Sequence, residues 1–140
     1  MIVGWGEKNF TTVTNGILAN ELSLKWETKK RDSKANYNSS LAFCSTIYLG
    51  QDENGTNILP LQIFIPMVVT NEIVIGGWDI SKLNIFEAAK RARVLEPIIY
   101  MQLKEQTEKI IPLPNFFDLY FVALNQKSRI ENAIYKNKEK

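Results

Sequence analysis

Glu21–Arg31 reads ELSLKWETKKR. Its alternation puts Leu22, Leu24 and Trp26 on one face of an extended chain and Glu21, Ser23, Lys25, Glu27, Lys29 and Arg31 on the other, the period of a half-buried strand. The solvent face turns basic toward its end. On this reading Trp26 belongs to a core with Leu22 and Leu24, within a strand that runs from Ile17 to Lys30.

Working outward, Ile2–Gly6 and Phe10–Thr14 read as short β pieces and Asn15-Gly16 as a turn. Residues 31–40 carry Asp32, Ser33, Lys34, Asn36, Asn38 and Ser39 without periodicity and are expected to be a mobile loop. Leu41–Leu49 and Ile58–Val69 read as two strands around a turn at residues 52–56. Directly paired residues must share a face, so an odd-numbered connection is expected, with Gly55 at a bulge, Tyr48 opposite Gln62 and Thr46 opposite Phe64. Gly76-Gly77 ends the next apolar piece. Asp79 or Ser81 then caps a helix with Leu83, Phe86 and Ala89 inward, running to Leu95 before Pro97. Ile98–Leu103 and Asn115–Leu124 read as strands, and residues 126–140 as a short C-terminal helix fraying over 136–140.

Three strands, a helix and two more strands is the element order of a five-stranded OB-type barrel. The expected fold is therefore α+β and mainly antiparallel: a small curved sheet or OB-like barrel with one central helix and a short C-terminal one.

The 140 residues are 45% hydrophobic and 23% charged, which suits a single domain over residues 1–140. No stretch approaches the roughly 20 apolar residues that cross a bilayer, and Met1–Glu7 does not resemble a signal peptide. The expected compartment is the cytoplasm, without a membrane. Cys44, the single cysteine, reads as a small buried hydrophobe in a reducing environment. The sequons at Asn9, Asn38 and Asn54 read as products of an Asn-rich chain. The net charge of +2 hides a segregation: Lys/Arg outnumber Asp/Glu six to four in residues 1–40 and eleven to seven in 81–140, while 41–80 hold none against four.

The chain has no histidine, which excludes His-based acid–base catalysis, Ser-His-Asp triads and Cys/His zinc sites. Glu27-Thr28-Lys29 matches the E-x-K of metal nucleases, but the upstream carboxylates are Glu7 and Glu21, and Glu21 is roughly 20 Å away along the strand at about 3.3 Å per residue. It reads as a solvated face. Gly4-Trp5-Gly6 has Asn at position 9, where a dinucleotide loop has its third glycine, and no clear helix follows, so it does not read as a dinucleotide-binding loop. Gly76-Gly77 could offer N–H groups to a phosphate, although a bend is the commoner use. Asp52, Glu53, Asp79 and Asp118 read as turn and cap residues.

The most coherent functional signal is a surface of cations and rings. Lys25, Lys29, Lys30, Arg31 and Lys34 would hold phosphates while Tyr37, Tyr48 and Phe64 stack on bases. The expected function is non-catalytic binding of single-stranded DNA or RNA with little sequence preference, with no cofactor and no metal. The alternative is a protein-binding or assembly module that meets a protein partner or a second copy through apolar sheet edges and Trp78. The bland reading buries the rings and leaves the cations as a solvated edge.

Overall fold

Lys8–Glu21 forms an α-helix, α1, over the residues read above as a β piece, a turn and the start of a strand. Its buried positions are Thr11, Thr14, Asn15 and Ala19, a helical spacing carried by polar and small residues. Threonine hydroxyls make this burial tolerable by bonding within the helix: Thr11 Oγ1 donates to Lys8 O at 3.0 Å and Thr14 Oγ1 to Phe10 O at 2.8 Å. A helix whose inner face is threonine and asparagine escapes hydrophobic periodicity.

The computed structural model describes residues 1–37, 45–53, 55–117, 128 and 130–135. The chain divides into two compact units, Met1–Ala19 with Val74–Lys140, and Asn20–Ile73. In the first, β1 (Ile2–Val3), β6 (Gly77–Asp79), β7 (Leu113–Phe117) and β8 (Ala133–Tyr135) form one sheet in the order β1-β6-β7-β8. Every neighbouring pair in it is parallel. Gly77 lies opposite Ile2, where a Cβ would run into the Ile2 carbonyl.

The helices of this unit are α1, α2 (Ile85–Ala92), α3 (Pro97–Gln102) and α4 (Lys104–Thr107). Asn84 caps α2 by accepting from Glu87 N at 2.8 Å, so this helix begins later than Asp79 or Ser81. It ends at Arg93, which adopts a left-handed φ of 54°. The expected strand at Ile98–Leu103 is instead α3, with Pro97 in its first turn, where a missing N–H costs nothing. Among the described residues, Trp5, Ala19, Ile85, Ala88, Ala89 and Leu103 form the buried apolar core. Ala133–Tyr135 is strand, which removes the expected C-terminal helix there; residues 136–140 lie outside the described set.

The second unit holds two separate antiparallel ladders, β2 (Lys25–Glu27) with β3 (Asp32–Lys34) and β4 (Thr46–Asp52) with β5 (Gly55–Pro60). The opening motif is thus split among several conformations. Glu21 ends α1, Ser23 takes a left-handed φ of 51°, and only Lys25–Glu27 is strand. Tyr48 pairs with Ile58 and Thr46 with Pro60, so the expected partners Gln62 and Phe64 are wrong. Asp52 pairs with Gly55, so the connection is two residues long and not odd-numbered, and the bulge falls at Leu49, between Tyr48 and Gly50, and not at Gly55. Leu61–Ile63 is a 3-10 turn with Phe64 at its end, so the second strand stops well before Val69. Leu41–Cys44, including the lone cysteine, lie outside the described residues.

The fold is therefore a parallel α/β arrangement and not an antiparallel OB-like barrel. Among the described residues, the segments counted as the first three strands hold the end of α1, the strands β2, β4 and β5 of the two hairpins, and the 3-10 turn at Leu61–Ile63. No helix among the described residues is long and apolar enough to cross a membrane.

Two substitutions test this packing. Asn15 is fully buried; its Nδ2 donates to Thr11 O at 2.7 Å while its Oδ1 has no partner. Asn15→Ala removes the stranded carbonyl and raises helix propensity, so urea unfolding is expected to show a gain of about 1 kcal/mol. Gly77→Ala forces β1 away from β6 and is expected to cost about 2–3 kcal/mol in the same assay.

Candidate functional site

Gly4-Trp5-Gly6 sits at the turn between β1 and α1, so a helix does follow it. Gly4 has φ +77°, a conformation glycine adopts without steric cost. Trp78 O accepts from Gly4 N at 2.9 Å and Trp5 N at 3.2 Å, and Gly4 O accepts from Glu7 N at 3.0 Å. Trp5 is buried, and its Nε1 donates to Thr14 Oγ1 at 2.8 Å. The turn is therefore fastened to the next strand by its backbone and to its own helix by an indole.

Asp79, at the end of β6 and 3% exposed, completes the turn. Its Oδ2 accepts from Gly6 N at 2.7 Å and its Oδ1 from Ser81 N at 2.8 Å. A Cβ on Gly6 would stand 3.1 Å from Oδ2, so the close approach calls for glycine. Arg91 Nη2 donates to Gly6 O at 2.9 Å. Asn132 Nδ2 donates to Asp79 O at 3.1 Å and to Pro112 O at 3.2 Å, tying β6 to the residue before β7.

With these bonds made, the N–H groups of residues 4 to 7 all have acceptors inside the fold. The first bond into α1 runs from Thr11 N to Glu7 O at 2.9 Å, which leaves the N–H groups of Lys8, Asn9 and Phe10 without a partner in the helix. Their alignment concentrates positive potential at the mouth of the turn, as anion-binding helix ends do. A glycine at position 9 is unnecessary for packing, because Asn9 is exposed and α1 meets its surroundings through Thr11, Thr14, Asn15 and Ala19. A strand, a Gly-x-Gly turn, a helix N-terminus and an acidic residue ending the adjacent parallel strand form the framework of a Rossmann-type nucleotide fold.

The profile of the myo-inositol-1-phosphate synthase family, an NAD-binding family, matches residues 1–140. The chain belongs to the myo-inositol-1-phosphate synthase family. It is similar to inositol-3-phosphate synthase 1 of Oryza sativa subsp. japonica, 43% identical over 139 residues that cover 99% of this chain and 27% of the rice protein. It is likewise similar to inositol-3-phosphate synthase 1 of Mus musculus, 43% identical over 96% of this chain and 24% of the mouse protein. The crystal structure of inositol-3-phosphate synthase from Caenorhabditis elegans superposes with a TM-score of 0.88 at 37% identity, over 94% of this chain and 26% of that one. The chain thus spans about a quarter of the synthases it matches. Membership in this family overturns the reading as a non-catalytic binder of single-stranded DNA or RNA.

The residues assigned to that reading belong to the other unit. Lys25 stands directly opposite Lys34 in the β2–β3 hairpin, with Lys29, Lys30 and Arg31 in the connection between the strands. Tyr48 is 64% exposed on β4, and Phe64 is 56% exposed beyond β5. Tyr37 does not stand free: its hydroxyl donates to Asn71 Oδ1 at 2.6 Å. Burial, reinforced by the charge of Glu21, holds its phenol above the ordinary value. Trp78 is half-buried in β6 between β1 and β7. Glu27 pairs with Asp32, yet no group of three metal-ligating side chains occurs among the described residues.

Asp79→Asn retains the volume but leaves one of the two N–H groups facing an amide NH2. Urea unfolding is expected to show a loss of about 2 kcal/mol, with the circular dichroism of the folded state little changed.

Proposed function

We propose that this chain forms the dinucleotide-holding part of an inositol-3-phosphate synthase, with NAD as its cofactor. The observation that carries the reading is the β1–Gly4-Trp5-Gly6–α1 turn beside a parallel strand ending in Asp79, in a chain of this family. The backbone fits a pyrophosphate. Gly4 brings no side chain to the turn, the Trp5 ring is buried against α1, and the N–H groups of Lys8, Asn9 and Phe10 are those that would hold the phosphates. Bound NAD supplies a reversible hydride acceptor.

Asp79 acts on this site indirectly. Both of its oxygens are engaged by backbone N–H groups, so it is a positioning residue that sets where Gly6, and with it the start of α1, stands. Arg91 does the same from the carbonyl side of Gly6. The lone cysteine, which suits a reducing compartment, supports a cytoplasmic place for this activity.

The reading is tested by titrating NADH into the 140-residue chain at low ionic strength and following nicotinamide fluorescence. Saturable binding is expected. Gly4→Val places a β-branched residue at positive φ and is expected to weaken it about tenfold or more. A chain that takes up no NADH even at millimolar ligand would overturn the reading.

A further inference from the structure

Where α2 gives way to α3, a cleft of about 430 Å3 is lined by Lys90, Arg93, Leu95, Pro97 and Tyr100. It shares no lining residue with the glycine turn or with Asp79. Part of its wall is apolar: Leu95, Pro97 and the ring of Tyr100, which is held by an edge contact to Phe86 of α2, with centroids 6.0 Å apart and planes at 67°. The rest is cationic. Neither Lys90 nor Arg93 has an ion-pair partner among the described residues, and the acids nearest them in sequence, Glu87 and Glu96, do not line the cleft. Lysine and arginine in a last turn favour the helix dipole, and Lys90 and Arg91 already meet that need. Arg93 is different. It stands at the left-handed position that ends α2, φ 54°, where its N–H donates to Ala89 O at 3.2 Å. Glycine takes that conformation without strain and is the usual residue there. No hydrogen bond or ion pair of the Arg93 side chain among the described residues offsets the strain, so this outlier on a cleft wall calls for a use outside the fold.

We propose that this cleft is a second ligand site, separate from the glycine turn, for a small phosphate monoester that carries a flat ring. Lys90 and Arg93 hold the phosphate, and the ring lies against Tyr100 and Pro97. Two cations match the nearly double charge of a phosphate monoester at neutral pH, and a guanidinium can grip two of its oxygens at once. The volume suits a ligand of one or two rings. Neither half of such a ligand suffices, since an exposed cation pair holds a bare anion weakly in water and a ring alone leaves the charges solvated. The site stands independently of the dinucleotide reading.

The test titrates the 140-residue chain with phenyl phosphate at low ionic strength and follows backbone amide shifts by NMR, with inorganic phosphate and benzyl alcohol as probes of each half. Phenyl phosphate is expected to saturate with a Kd of about 1 mM, as its size allows, moving the amides of residues 90–100. Each half-probe is expected to bind about tenfold more weakly or not at all. Arg93→Gly is expected to weaken phenyl phosphate binding about tenfold while its urea midpoint rises, because glycine relieves the left-handed residue. That pairing separates a ligand contact from a structural role. Lys90→Gln is expected to weaken binding by a similar factor with the midpoint unchanged, and excess NADH is expected to leave the shifts in place. No saturation up to about 10 mM phenyl phosphate would overturn the proposal. So would affinity unchanged in both variants, or displacement of phenyl phosphate by NADH, which would make the cleft part of the dinucleotide site.

Discussion

The carboxylate of Asp79 receives the N–H of Gly6 on one oxygen and that of Ser81 on the other, and the geometry of the β1–α1 turn depends on that pair of bonds. A buried carboxylate without donors would be prohibitively costly, whereas one with two backbone donors is a strong fixed point. It joins the end of β6 to the turn after β1, two places separated by more than seventy residues of chain. A side chain at Gly6 would press on that oxygen, with its Cβ 3.1 Å from Oδ2, and Arg91 holds the carbonyl of the same residue. The start of α1, where the open N–H groups lie, is thereby held from two directions.

The chain between those two places explains why this constraint is hard to see in advance. In a simple strand–helix–strand unit the acidic residue follows the glycine turn by about 20 residues. Here Asn20–Ile73 forms a compact unit of its own between α1 and β6, so the acid stands at position 79. A search at the usual spacing meets Glu27, which belongs to a hairpin with a different partner. The same interposed unit supplied the three segments that resembled the opening strands of a barrel.

Parts of the fold were legible. The amphipathic helix ending before Pro97 and the turn near Gly55 each carry a local physical signal and lie close to where the sequence puts them, whereas the Gly4-x-Gly6 pair is passed over because the helix after it cannot be read. The strands of the parallel sheet carry much less. β1, β6 and β8 are two or three residues long, too short for any period to be counted, and they are held by neighbours distant in the chain. α1 was hidden for a different reason: its inner face is built from threonines and an asparagine, which are tolerated because their donors close onto the helix's own carbonyls. ELSLKWETKKR shows the converse error, since an alternation over eleven residues arose from a helix end, a left-handed serine, a three-residue strand and a turn.

By itself the sequence determined that these 140 residues bring no histidine to any site they form, and where glycine and proline interrupt the chain, because both follow from single residues and their nearest neighbours. Tertiary structure decided that the sheet is parallel, that Asp79 is a buried anchor rather than a cap, and that the glycine turn opens onto a helix. Strand direction and the pairing of a carboxylate with a distant N–H are long-range properties, set by which segments can bury themselves together. No local period records them.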